Sequence, residues 1–282
     1  MSSGNVVIYE PDRQLKMGFF AQWREMVIDL LKSRELIWRL FLRDFQSKYK
    51  QSLLGIAWVA LNPLVTTAIF VYLNSAGILR IGSVGVPYVA FAIMGLTFWS
   101  LFAVGVTAST SSIIGAGPLV AKINFPKVSL VYASIGQALV EFIVRLALTI
   151  IVLVIFKVTP VWTAIFLPIA IIPLLLLTIG AGFILSLAAG VFRDMNNVVV
   201  LVVQLLMFLS PILYPVPKSK LAATLFNWNP VAQLVVGPRD LVIYGGFSNP
   251  VGFLWSTIFA MVVFLAFWRL FYLAETKITE RI

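Results

Sequence analysis

The sequence predicts an all-α integral membrane protein: six transmembrane helices, an N-terminal amphipathic interface helix, and an outward re-entrant helix pair between spans five and six. Three observations predict it. Hydrophobic residues make up 61% of the 282-residue chain and charged residues 11%, and the mean hydropathy is +1.00, a composition foreign to soluble domains. Six apolar stretches, residues 55–77, 87–108, 130–156, 161–192, 198–214 and 251–268, approach or exceed the roughly 20 residues that cross about 30 Å of hydrocarbon. Inside hydrocarbon each backbone polar group must bond within its own segment, so each stretch is a helix.

Charge sets the expected orientation. With the N-terminus placed in the cytoplasm, 15 of the 21 Lys and Arg fall on the cytoplasmic side. Arg80, Lys157, Lys218, Lys220 and Arg239 fall outside, and Arg145 lies within a span. The positive-inside rule then puts both termini in the cytoplasm, as six spans require. The net charge of +10 therefore reflects topology rather than nucleic-acid binding. No signal peptide is expected, because the first apolar stretch begins beyond residue 50. The chain has no Cys and no His, which removes disulfides, thiol nucleophiles and histidine ligands. No phosphate-binding G-x-x-x-x-G-K-[ST] loop occurs. No catalytic or metal-ligating residue is expected, and any ATP and Mg would be bound by another subunit.

Residues 1–16 show no helical stripe and read as a tail. Residues 17–54 are amphipathic: Ile37, Leu40, Phe41, Phe45 and Tyr49 share one stripe, and Glu35, Arg39, Arg43, Gln46 and Lys50 the opposite one. Such a helix lies in the membrane surface, as a topogenic anchor or as a mobile element contacting a cytoplasmic partner. Residues 55–282 form the membrane domain. Its first cytoplasmic loop, residues 115–129, brackets about two helical turns between Pro118 and Pro126. That length fits a plain connector or a docking knob.

In span three, Gln137, Glu141 and Arg145 recur every four residues and share a helix face near mid-membrane. They predict either an intramembrane Glu141–Arg145 ion pair or a polar lining. Phe91, Phe98 and Phe102 form a stripe on span two that reads as packing or lipid contact, or as an aromatic surface along a sugar path. Pro168 and Pro173 predict a kinked or interfacial start to span four. Residues 215–250 form an outward loop too apolar for a solvated one, with helical pieces at about 218–226 and 231–244 broken at Asn229 and Pro230. Backbone at that depth is tolerated only where protein buries it or water lines it.

Five segments together carry a resemblance: SRELIWRLFLRDFQSKYKQSLLGIAWVALNP (residues 33–63), KINFPK (122–127), FRD (192–194), SPILYPVP (210–217) and NWNPVAQLVVGPRDLVIYG (227–245). In this order and spacing they resemble the permease subunit of ABC exporters for bacterial cell-surface polysaccharides, the family that serves O-antigen, capsule and teichoic acid. The resemblance implies a homodimer of this chain in the bacterial inner membrane, paired with two copies of an ATP-binding cassette subunit, passing a lipid-linked polysaccharide between the two permeases. It implies coupling to the ATPase through Lys122, Ile123, Asn124, Phe125, Pro126 and Lys127. It also implies an interface helix bearing Arg39, Arg43 and Tyr49, and a gate bearing Asn229, Pro230 and Arg239. Spans one and five would face the channel, with Trp58, Asn62 and Thr66 on one and Gln204 and Phe208 on the other. The N-terminal VIYEPD is similar to members that serve O-antigen, which favours that cargo over capsule or teichoic acid.

Two readings of other classes stay open. A membrane glycan-assembly enzyme would need a carboxylate or metal cluster at the interface. An ion-coupled carrier would use Glu141, whose near neighbour Arg145 argues against free titration.

Overall fold

The computed structural model describes residues 18–50, 52–78, 81–82, 84–117, 125–192, 194–216 and 219–278, with backbone alone at 220–222 and 276–278. The expected tail 1–16 and the coupling residues Lys122, Ile123 and Asn124 lie outside the described residues. All regular structure among the described residues is helical.

The expected amphipathic segment is two helices, α1 (Phe19–Lys32) and α2 (Arg34–Tyr49), meeting at Ser33, whose ψ near 0° breaks the helical register. The membrane helices follow: α3 (Ala57–Ser75), α4 (Tyr88–Gly115), α5 (Val128–Ile155), α6 (Leu167–Val191), α7 (Met195–Leu209) and α10 (Pro250–Ile278). Two shorter helices, α8 (Lys220–Trp228) and α9 (Pro230–Ile243), precede α10. Five segments are long and apolar enough to cross a membrane: α3, α4, α5, α6 with the 3-10 turn Trp162–Phe166 before it, and α10 up to Glu275. The chain is thus a multi-pass membrane protein.

The fifth expected span, residues 198–214, differs. Helix α7 has 15 residues, or about 22 Å at 1.5 Å per residue, short of a full crossing. It stops at Leu209 because Ser210 precedes Pro211 and takes extended backbone, φ −103° and ψ 139°. A residue before proline is driven out of the helical region by the ring. The expected irregularity before span four is the 3-10 turn, with proline seated in the first turn of α6, where its missing N–H costs nothing.

Helix α4 is the centre of the bundle. Phe91, Phe98 and Phe102 are all buried, so their stripe is packing rather than lipid contact. Helices α5 and α6 pack along it, and α3, α7 and α9 add further contacts around it. Apolar contact with lipid is as favourable as contact with leucine, so such helices associate through close packing and small residues. Gly180 shows the fit: a Cβ there would stand 2.9 Å from the Phe264 backbone, and α6 and α10 touch along that face.

A second apolar cluster closes the end of the bundle that carries α1. Met26, Ile113, Leu130, Phe183, Trp268 and Phe271 meet there, with Trp23 packed edge-on to Trp268 at 5.8 Å.

Candidate transport path and its two ends

Three regions assemble the residues expected to act. The first is a pair of unpacked helix faces. Helices α3 and α7 both pack on α4, with further contacts of α3 to α5 and of α7 to α6, and leave their remaining sides open. Trp58, Asn62, Gln204 and Phe208 are exposed on those sides, and Thr66 is half-buried with its hydroxyl donating to the Asn62 carbonyl at 3.0 Å. The side-chain amides of Asn62 and Gln204 have no hydrogen-bond partner among the described residues.

The second region is centred on Glu141, buried at the middle of α5. The expected pair with Arg145 exists but is loose, at 3.9 Å. The tighter partners come from α2: Lys48 Nζ lies 2.5 Å from Glu141 Oε1, and the Tyr49 hydroxyl donates to the same oxygen at 3.1 Å. Burial, reinforced by the Glu141 carboxylate, pushes the Tyr49 phenol above its ordinary range, so it stays a neutral donor. The amphipathic helix is therefore pinned by its last turn to the middle of a membrane helix. A surface placement alone does not account for that contact. Arg39 and Arg43 do not join the cluster; they pair locally with Glu35 at 2.6 Å and Asp44 at 2.7 Å, exposed on the outer face of α2.

The third region is the far end, where α9 is buried over nearly its whole length between α4, α6 and α10. Asn229 caps α9, accepting from the Ala232 N–H at 3.1 Å, and Pro230 occupies the first turn. The Asn229 amide also donates to Ser210 Oγ at 3.0 Å. Arg239 is buried, donates to the carbonyls of Pro211 and Ile212 at 3.1 and 3.2 Å, and sits 3.9 Å from the Phe91 ring centre. Asp240 is its 3.5 Å ion-pair partner and accepts from the Ser248 hydroxyl. Burial pushes the Asp240 carboxyl up, with Arg239 pulling the other way. Together these bonds tie the 210–213 turn to α9. The turn lies hard against α4, since a Cβ on Gly95 would fall 2.4 Å from the Ile212 carbonyl oxygen. Beside this cap, a cavity of about 720 Å³ is lined by Trp228, Trp255, Phe259, Asn227 and Asn249.

At the opposite end, Phe125 packs on the second apolar cluster, and the Lys127 N–H donates to Glu275 on α10. Lys127 itself is buried. The Tyr272 hydroxyl reaches Glu25 of α1 at 3.2 Å. The end of the first cytoplasmic loop expected from sequence is thus bonded to the last helix, which is itself bonded to the first. Pro126 lies within this junction, accepting the Ser129 N–H through its carbonyl at 3.0 Å.

Sequence reasoning missed Lys48, Asp240 and Glu275 as partners. Asp240 had a local signal, an Arg-Asp pair inside an apolar helix, whereas Lys48 and Glu275 meet their partners across 93 and 148 positions.

Residues 35–243 match the family described as ABC-2 type transporter. The chain belongs to that family. The ABC-2 segment begins on α2 and ends at Ile243, the last residue of α9, so it takes in the Glu141 cluster, both unpacked faces and the Arg239 cap. Among curated relatives, the O-antigen export system permease protein RfbA of Klebsiella pneumoniae is 29% identical over 212 residues, covering 72% of this chain and 78% of the relative. The protein of that name from Myxococcus xanthus is 26% identical, covering 74% and 81%. The polysialic acid transport protein KpsM of Escherichia coli is 25% identical, covering 79% and 87%.

Proposed function

We propose that this ABC-2 protein is the permease subunit of an ATP-driven exporter that moves a lipid-linked polysaccharide, O-antigen in the first instance, outward across the bacterial inner membrane. Two copies form the channel, with their termini in the cytoplasm and two copies of a separate ATP-binding cassette subunit beneath them. ATP and Mg belong to that partner.

The observation that carries the reading is the pair of unpartnered amides, Asn62 and Gln204, on the open faces of α3 and α7. An amide without a partner in hydrocarbon costs several kcal/mol, about 2–7 by transfer measurements, so those faces belong against water or polar surface rather than lipid. A second copy presenting the same faces encloses such a space. Trp58 and Phe208 beside the amides supply flat apolar surfaces that a sugar chain slides over without being gripped. In this arrangement α7, together with the 210–213 turn, supplies the fifth of six crossings. Helices α8 and α9 then form the outward re-entrant pair, gated by Asn229, Pro230 and Arg239. The segment Lys122 to Lys127 and helix α2 take up motion of the ATPase.

The names of the relatives support O-antigen as cargo. Capsular polysaccharide is the second reading, supported by the polysialic acid transport relative; teichoic acid is the third cargo within the same family. An ion-coupled carrier fits less well, because its carboxylate must trade partners freely and Glu141 is engaged by Lys48, Tyr49 and Arg145 at once. A glycan-assembly enzyme would require a catalytic group that the expected site residues do not supply.

The test is deletion of the gene in its host, followed by fractionation of the lipid-linked glycan. Full-length polymer retained on the cytoplasmic face is the expected result and names the cargo. Absence of polymer would point to the enzyme reading, and unchanged surface glycan would overturn the export reading.

A further inference from the structure

Helices α2 and α5 enclose a groove of about 270 Å³ that the transport reading does not use. Trp38 and Phe41 form one wall, Tyr132 and Val140 the other, and Gly136 the floor. The missing side chain at Gly136 gives the groove its depth: a Cβ there would stand 3.0 Å from the Phe41 ring. Arg34 stands at one end, a turn before Trp38. Its charge is uncommitted. Of the three arginines on α2, Arg39 is paired with Glu35 and Arg43 with Asp44, whereas Arg34 has no acidic partner among the described residues. Trp38 is 58% exposed although it borders the groove.

An apolar aromatic trough with an unpaired cation at one mouth is the complement of an amphiphile with an anionic head and a hydrocarbon tail. We propose that the groove binds one anionic phospholipid, its phosphate on Arg34 and an acyl chain lying against Trp38 and Tyr132 over Gly136. Two arguments favour a lipid over a protein. The wall supplied by α5 belongs to a membrane-spanning helix, so the groove opens where acyl chains are at hand. A second copy of this chain, approaching by symmetry, would bring a second unpaired Arg34 toward the first. The bound lipid fills space between α2 and α5 a few residues from the Lys48–Glu141 contact and so holds the amphipathic helix in place. The proposal does not depend on which substrate the protein moves.

The experiment is native mass spectrometry of the full chain purified in detergent and titrated with phosphatidylglycerol or phosphatidylethanolamine carrying identical tails. One arginine near an anionic headgroup contributes about 1 kcal/mol, so the wild type should prefer phosphatidylglycerol by about fivefold at one site. Arg34→Gln, which breaks no hydrogen bond or ion pair among the described residues, should remove the preference while binding of both lipids persists. Gly136→Leu, which fills the floor, should lower retention of both, and Trp38→Ala should do so without crowding α5. An unchanged preference in Arg34→Gln overturns the head assignment, and unchanged retention in both Gly136→Leu and Trp38→Ala overturns the groove. Loss of a dimer signal in those two variants, with lipid retention intact, would make the face a contact between copies. Release of phosphatidylglycerol by millimolar inorganic phosphate alone would show a free-phosphate site instead.

Discussion

At Arg239 a full positive charge sits inside the far end of the bundle, answered by two carbonyls, the face of Phe91 and the carboxylate of Asp240. Removing one member of a buried pair leaves the other charge uncompensated, at about 3–5 kcal/mol. Arg239→Gln and Asp240→Asn should each lower the unfolding midpoint of the detergent-purified protein strongly. The double variant should lose less than the two together, with a coupling of about 0.5–3 kcal/mol. Strict additivity would mean that the two side chains act independently. Arg239→Lys keeps the charge but not the forked donors, and should fall between the wild type and Arg239→Gln. Gly95→Ala tests the same end without touching a charge. Its Cβ would meet the rigid carbonyl of Ile212 at 2.4 Å, so about 1–3 kcal/mol of destabilisation is expected from overpacking, read as a lower midpoint. What was legible at this scale was local. Asn229 and Pro230 read as a helix break, and the structure makes them a cap and first turn; Arg145 read as the neighbour of Glu141, and it is one. The stronger partner of Glu141 was hidden because a four-residue spacing reveals only contacts along one helix, whereas Lys48 arrives from another element.

Helices α3 and α7 share a physical anomaly: each is apolar enough for a membrane, yet each shows an unsatisfied amide on its open side. If those sides meet a second copy around a watery passage, the absence of native cysteine makes the test clean. Asn62→Cys and Gln204→Cys should each react with a water-soluble maleimide in membranes and yield a dimer with a bifunctional one. Val154→Cys, 72% exposed on the apolar outer face of α5, should do neither. Equal, low labelling at all three positions would place α3 and α7 in lipid and remove the channel from between the copies. The helices were legible as elements because apolar length is a strong signal. The end of α7 was misjudged, since counting apolar residues through Tyr214 ignores what Pro211 does to Ser210. The burial of Phe91, Phe98 and Phe102 was left open, because an aromatic stripe looks the same whether protein or lipid covers it.

Across the whole molecule, the two ends differ in how they are held. The far end is closed by α9 and its buried charges. The end bearing α1 is a junction where Phe125 packs on the apolar cluster, Lys127 meets α10 through Glu275, and α10 meets α1 through Tyr272 and Glu25. On the proposed export reading, a push delivered to Phe125–Lys127 by a partner ATPase would have a bonded route to the last helix and, through the apolar cluster, to α5 and α6. Contacts along such a route modulate coupling by about 0.5–2 kcal/mol each, about two- to thirtyfold. Because the Lys127 link is made by its backbone N–H, the side chain that matters is that of Glu275. Glu275→Ala removes the acceptor, and Phe125→Ala removes the apolar contact. In the reconstituted complex, each should cut export by about tenfold while ATP hydrolysis stays within about twofold of the wild type. Glu275→Gln retains an oxygen acceptor for the amide and should keep most of the export. If hydrolysis and export fall together in all three variants, the junction serves the fold and does not transmit the stroke.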